Sequence, residues 1–252
     1  MHRLFGSREL LAIFFSALFT IVFTSGESFA KVCHIIVDPG HGGSDTGATR
    51  GDLRESKIVL GVASQLTELL KSNPKFKVTQ TRWKDKLVGL DERSKMASEV
   101  KADLFLSIHV NSNPVEKAKG TEIYFQNQIT ADQEDLYLAS RENEGVKSQK
   151  KKSGGEVDNI VDDLVHSHHL LMSFELAKSI YNVWPKPNTG LHIRQAPFHV
   201  LSEVTMPSVL VELGFLSNPI EGPWLAEPAT QKHLAHVLYQ ALVKYQAKWY
   251  SH

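Results

Sequence analysis

Ile35-Ile36-Val37-Asp38-Pro39-Gly40-His41-Gly42-Gly43-Ser44-Asp45 is an apolar run that ends in a Pro/Gly-rich turn carrying a histidine. A short Ile/Val run closed by such a turn reads as a buried strand reaching a surface. At the carboxyl end of a strand in an open α/β sheet, a loop that holds a ligand or a metal is the expected use of the position. His41 is therefore presented rather than buried. Taken alone, the loop leaves a second reading open, in which the glycines make a tight turn and His41 is an incidental polar residue on it.

The rest of the chain limits what this loop can belong to. With 252 residues, 42% hydrophobic and 22% charged, one soluble domain is expected. The 28 basic and 28 acidic residues balance, so no global field attracts nucleic acid or an anionic membrane, and no nucleic-acid partner is expected. A single cysteine, Cys33, excludes an internal disulfide and a cysteine-built zinc site. Any metal must be held by histidines and carboxylates, and Cys33 is expected to pack in the first strand.

Residues 1–30 read as a cleaved signal peptide. His2, Arg3 and Arg8 precede an apolar run over 10–23, and Ser28-Phe29-Ala30 offers small residues where a signal peptidase reads. The run is shorter than the about 20 residues that span a bilayer, so a leader is favoured over an anchor, and no stable membrane anchor is expected. The residues before Cys33, Lys31 and Val32, make no lipobox. An exported, periplasmic protein is expected, with its catalytic domain over 31–252 and no separate targeting domain before it.

Glu55 opens a segment in which Ile58, Val62, Leu66, Leu69 and Leu70 recur at helical spacing up to Ser72-Asn73-Pro74. A carboxylate in a first helical turn is favoured by the dipole alone, by about 0.3–1 kcal/mol, and on that evidence Glu55 needs no further role. It could also meet His41 at one point, because a strand-end loop leads into this helix. A second strand is expected over 78–82 and a second helix over 87–100. Phe105-Leu106-Ser107-Ile108-His109-Val110-Asn111 then gives another strand ending in a histidine, and 120–126 a further strand, placed at a sheet edge.

From 127 to about 169 the sequence turns polar and looks inserted, with a flexible break at Lys150-Lys151-Lys152-Ser153-Gly154-Gly155. Helices are expected over 131–144 and 156–171, with few apolar positions to pin them to a core. His166, His168 and His169 read as a solvated face. A helix over 170–183 follows, then the strand Ser208-Val209-Leu210-Val211-Glu212-Leu213-Gly214-Phe215 and a closing helix over 230–249. Glu212 interrupts a buried apolar run and asks for a compensating partner, since burying an unpaired carboxylate costs several kcal/mol.

His41, Glu55, His109 and Glu212 thus stand at the ends of separate elements of one sheet. Two histidines and one carboxylate make a three-ligand zinc set with an open position, and the fourth group can move a proton. A metal lowers the pKa of its water to about 7 and polarises a carbonyl, which is the chemistry of amide hydrolysis.

Four blocks, Ile36-Val37-Asp38-Pro39-Gly40-His41-Gly42-Gly43, Glu55-Ser56-Lys57, Phe105 to Asn111 and Pro207 to Asn218, resemble in order and separation those of the zinc-dependent N-acetylmuramoyl-L-alanine amidases. The resemblance implies a mixed, mostly parallel α/β sheet flanked by helices in one catalytic domain with a helical insertion. It implies one zinc per chain on His41, Glu55 and His109, with Glu212 as catalytic carboxylate. The substrate implied is peptidoglycan, cut at the amide between N-acetylmuramic acid and L-alanine. The segment with Tyr137-Leu138-Ala139-Ser140-Arg141-Glu142-Asn143 resembles the insertion of the cell-division branch, in which a helix covers the zinc until a partner displaces it. Glu134, Asp135, Glu142 and Glu144 are the candidate plugging acids, and the partner implied is a periplasmic activator of the degenerate metallopeptidase type. Two alternatives remain at this level: a catalytically silent protein that binds peptidoglycan or recruits enzymes, against which retention of all four site residues argues, and a zinc peptidase acting on stem peptides.

Overall fold

A computed structural model describes residues 31–127, 132–146, 156–185 and 190–250, with only the backbone of 156–163. The leader expected over 1–30 and the break expected at 150–155 lie outside the described residues. The elements follow in chain order as β1 (Cys33–Pro39), a small hairpin of β2 (Thr49–Arg50) and β3 (Leu53–Arg54), α1 (Glu55–Lys71), β4 (Phe76–Gln80), α2 (Leu90–Glu99) and β5 (Leu104–Asn111). Then come β6 (Glu122–Gln126), α3 (Gln133–Glu142), α4 (Glu156–Val183), β7 (His192–Ala196), α5 (His199–Ser202), β8 (Ser208–Phe215), α6 (Glu221–Ala226) and α7 (Pro228–Trp249).

The six-stranded sheet has the order β4-β1-β5-β8-β6-β7. Its first four strands are parallel, β6 runs antiparallel to β8, and β7 is parallel to β6. The expected mixed, mostly parallel α/β sheet is what the chain forms. The chain steps from β1 to β4 on one side and then crosses to β5 on the other. This places a crevice at the carboxyl ends of β1 and β5, where open α/β sheets bind ligands.

Every residue of β1, β5 and β8 is buried, which explains why these strands read as apolar runs rather than alternating ones. One face carries Cys33, Ile35, Val37, Leu106 and Ile108 against Ile58, Val62 and Leu66 of α1, Leu176 and Ile180 of α4, and Leu234, Leu238 and Tyr245 of α7. Cys33 packs there as expected, and burial pushes its thiol up to about 12. The other face carries Ile36, Phe105, Tyr124 and Leu210 beneath Ala97 of α2, Leu138 and Ala139 of α3, and Phe198, Val200 and Leu201.

Three expectations are corrected. The strand at 120–126 is not an edge, because β7 pairs outside it. The helices expected over 156–171 and 170–183 are one 28-residue helix, α4. And α3 is better anchored than its few apolar residues imply, since Leu138 and Ala139 are buried and Asp135 is buried in a polar network.

Candidate metal centre

The loop after β1 is shaped by groups far away in sequence. His41 and the next two residues, Gly42 and Gly43, all have positive φ, 55°, 127° and 65°, a conformation that costs a non-glycine residue energy and marks functional sites. Two buried arginines hold it. Arg82 donates to the carbonyls of Pro39, Gly40 and Ser56. Arg93 donates to the carbonyls of Pro39 and His41 and to Asp38 Oδ1, the last at 2.6 Å. Gly40 has no room for a side chain, because a Cβ there would collide with the ring of His109.

His41, Glu55 and His109 meet at one point. His109 Nδ1 is 3.0 Å from Glu55 Oε1, and His41 Nε2 is 3.2 Å from the same oxygen. Glu55 reaches this point because its helix starts directly on the loop, with its backbone N–H bound to the Ala48 carbonyl. Its carboxylate is fixed by N–H groups of Ala48 and Val110, at 2.8 and 2.9 Å. The expectation that His41 is presented is met only in part, since its side chain is 11% accessible.

What covers His41 is α3. Glu142 Oε2 lies 3.2 Å from both His41 Nε2 and His109 Nδ1. Of the other acids singled out on α3, Asp135 binds the Tyr124 hydroxyl, Glu134 lies at the start of the helix, where its backbone N–H is capped by Asp132, and Glu144 borders the adjoining cavity. Among the described residues, the His, Cys, Asp and Glu group that could hold a metal is His41, His109 and Glu142, with ligand atoms within 4.8 Å of one another. Glu55 Oε1 stands within 3.2 Å of both rings, so four donors converge. His166, His168 and His169 are not part of such a group.

The donor set fits a divalent metal. His41 Nδ1 is engaged by Asp45 Oδ2 at 2.8 Å, which makes Nδ1 the protonated nitrogen and turns the Nε2 lone pair inward. That Nε2 is buried and aligned with no hydrogen-bond partner, although two carboxylate oxygens are close. Protons or a cation must balance the buried carboxylates. As proton carriers, both rings are opposed by burial, yet the charge of Glu55 with bonds to Asp45 and Glu142 holds His41 far above its ordinary range, and Glu142 and Glu55 bring His109 to about 10. Glu142 is opposed by burial but drawn down to about 2 by His109 and His41. A dication does the same work with both rings neutral, the state in which imidazole is a ligand.

Glu212 lies beside His109 in the β5–β8 register, and both its carboxylate oxygens are buried without a hydrogen-bond partner among the described residues. Burial, then the charges of Glu55, Glu142 and Glu122, raise its pKa well above the ordinary carboxylate value. A buried carboxyl beside His109, raised above its ordinary range, is placed to take up and return a proton. The pairing shifts by one residue between His109 and Asn111, a bulge that bends the strand ends at the site. Sequence reasoning missed Arg82, Arg93 and the contact of Asp45 with His41. Asp45 stands in the opening stretch, four residues after His41, and that spacing was the available signal.

The geometry has relatives. A sequence model of the N-acetylmuramoyl-L-alanine amidase family matches residues 35–244. AmiB of Haemophilus influenzae, named a probable N-acetylmuramoyl-L-alanine amidase, is 31% identical over 96% of this chain, which spans 57% of that protein. The N-acetylmuramoyl-L-alanine amidase AmiA of Escherichia coli is 32% identical over 84% of this chain and 75% of its own length. The catalytic domain of CwlV, an N-acetylmuramoyl-L-alanine amidase of Bacillus (Paenibacillus) polymyxa var. colistinus, superposes with a TM-score of 0.60 at 27% identity, covering 84% of this chain and 97% of that one. The match over residues 35–244 takes in most of β1, all of β5 and β8, and His41, Glu55, His109 and Glu212, and the chain belongs to the N-acetylmuramoyl-L-alanine amidase family.

Proposed function

We propose that this chain is an exported, zinc-dependent amidase that hydrolyses the bond between N-acetylmuramic acid and L-alanine in peptidoglycan, in cell-wall remodelling and daughter-cell separation. The observation that carries the reading is the convergence of His41 Nε2, His109 Nδ1 and Glu55 Oε1 beside an unpartnered, buried Glu212. His41, Glu55 and His109 would hold one zinc, which supplies an activated water and polarises the scissile carbonyl. Glu212 accepts the proton of the attacking water and returns it to the leaving amine of L-alanine. Asp45 keeps His41 in the tautomer that faces the centre, and Arg82 and Arg93 keep the loop in its left-handed turn.

Glu142 occupies the side of the centre that substrate must reach. A catalytic zinc site keeps one position open, whereas a site closed by four protein ligands is inert. The α3 helix is thus an autoinhibitory plug with Glu142 as its ligand-like group. A periplasmic activator that binds only the lifted form would shift the equilibrium by its differential affinity. The leader-like composition of 1–30 supports export, and no described helix is long and apolar enough to cross a membrane.

The test is digestion of purified sacculi with mass analysis of the products. An amidase releases intact stem peptides with a free L-alanine amine. Release of peptides cut between amino acids would make the chain a peptidase, and binding without release would make it a silent member of its family.

A further inference from the structure

We propose that Tyr124 and Arg194 form a subsite for a carboxylate of the stem peptide, and that Asp135 of α3 fills this subsite while the centre is closed. The inference rests on the function proposed above. The Tyr124 hydroxyl donates to Asp135 Oδ1 at 2.9 Å, and Arg194 Nη1 donates to the same oxygen at 3.2 Å. Two donors from neighbouring strands of the rigid sheet converge on one carboxylate oxygen, which is how a carboxylate is recognised. Arg194 Nη1 also donates to Asp132 Oδ2 at 3.0 Å, at the N-cap of the same helix.

The donors belong to the sheet, whereas Asp132 and Asp135 belong to the element that must move. Glu122, the third acid near Arg194, lies on β6 and stays, with its Oε1 3.1 Å from Arg194 Nε. With α3 in place three acids crowd one guanidinium, and burial pushes both Glu122 and Asp135 above the ordinary range. Lifting α3 removes two of the three and leaves Arg194 Nη1 aimed at the position Asp135 held, with the Tyr124 hydroxyl, which also lies 3.2 Å from Glu122 Oε2, free to turn its proton to an incoming carboxylate there. A ligand carboxylate restores the balance that the helix acids supplied.

The position suits a stem peptide. Glu122 pairs with Glu212 across β6 and β8, and Tyr124 lies two residues further on the same face, about 7 Å along the strand. An extended peptide covers at most about 3.3–3.6 Å per residue, so the notch lies about two residues from the amide over Glu212. The carboxylate expected is therefore one on the residue that follows the alanine. Beside the notch, Asn111, Glu122, Tyr124 and Phe215 form the sheet-side wall of a cavity of about 310 Å³ whose opposite wall is α3, so lifting the helix opens it along this path.

The test uses two synthetic N-acetylmuramoyl-L-alanyl peptides that differ only in whether the residue after alanine carries a free carboxylate or its carboxamide. The readout is the ratio of their kcat/KM values in the full mature chain carrying Glu142→Ala, with and without Arg194→Gln, Arg194→Lys or Tyr124→Phe. Loosening of α3 by any variant affects both peptides alike and cancels in the ratio. The parent should favour the free carboxylate by about tenfold or more, chiefly through KM, the loss for one charge-assisted hydrogen bond. Arg194→Gln should bring the ratio close to one, Arg194→Lys should keep part of it, and Tyr124→Phe should lower it severalfold, which carries the test if Arg194→Gln does not fold. A parent without preference, or a ratio unchanged in Arg194→Gln and Tyr124→Phe, overturns the subsite. A parent that cleaves neither peptide overturns the amidase reading itself, and the subsite with it.

Discussion

Glu142, in the last turn of α3, lies 3.2 Å from Nε2 of His41, the nitrogen that Asp45 leaves facing the centre. One helix terminus thereby adds a fourth donor to the three that His41, Glu55 and His109 bring together. Glu142→Ala is expected to raise basal hydrolysis of dye-labelled sacculi by tenfold or more, each factor of ten corresponding to about 1.4 kcal/mol of relative stabilisation of the open form. An unchanged rate, with the variant folded and zinc-loaded, would remove Glu142 as the plug.

Asp45 acts through the opposite nitrogen of the same ring. Because it holds the tautomer and orientation of a ring proposed to hold the zinc, Asp45→Ala should weaken zinc binding by about 10–100-fold while leaving the fold intact. Competition against a chromogenic chelator reads this directly. Affinity equal to that of the wild type would reduce the His41–Asp45 contact to a surface pair.

Glu212 and Glu55 look alike in sequence and differ in surroundings. Glu55 accepts two backbone N–H groups and faces both rings, whereas Glu212 has no hydrogen-bond partner among the described residues. Glu212→Gln should therefore retain zinc and lose about 10²–10⁴-fold in turnover. Loss of zinc would recast Glu212 as a ligand, and wild-type turnover would remove it from the mechanism.

The loop depends on the buried pair of Asp38 and Arg93. Burial opposes the Asp38 charge, but Arg93 at 2.6 Å and the Thr81 hydroxyl hold its pKa below the ordinary value. With the folded pKa depressed, the unfolded chain binds more protons in acid. The stability Asp38 contributes is thus complete above its ordinary value of about 3.9 and is lost as pH falls towards the folded one. Asp38→Asn leaves the buried Arg93 with its carbonyl acceptors but without a counter-charge and should cost about 3–5 kcal/mol near pH 7. In urea unfolding the difference between the two chains should shrink below about pH 4, and a difference constant from pH 7 to pH 3 would contradict the assignment.

The meeting of His41, Glu55 and His109 was legible in the sequence because these residues terminate apolar runs or open a helix, and a polar residue in such a position stands out locally. The pairing partners were not legible. Arg82 and Arg93 bind carbonyls more than forty residues away, and nothing beside them in the chain signals it. The β7 strand, His192–Ala196, is a partly exposed edge without an apolar run, so it escaped notice and β6 was left at the border. The 28-residue α4 packs its second half on the core through Met172, Leu176 and Ile180, whereas Leu164 and Val165 are exposed, so its pattern changes midway and reads as two helices. Choosing among Glu134, Asp135, Glu142 and Glu144 required the orientation of α3. Asp135 faces Tyr124 and Glu142 faces the rings, a distinction that helical spacing alone does not make.

The central claim is that His41, Glu55 and His109 hold a single zinc whose remaining position is closed by Glu142. Anomalous diffraction at the zinc edge from crystals of the zinc-loaded mature chain tests it most directly. The account predicts one anomalous peak per chain at bonding distance, about 2.0–2.2 Å, from His41 Nε2, His109 Nδ1 and carboxylate oxygens of Glu55 and Glu142. No peak between the two rings, or a peak held by other residues, would contradict it.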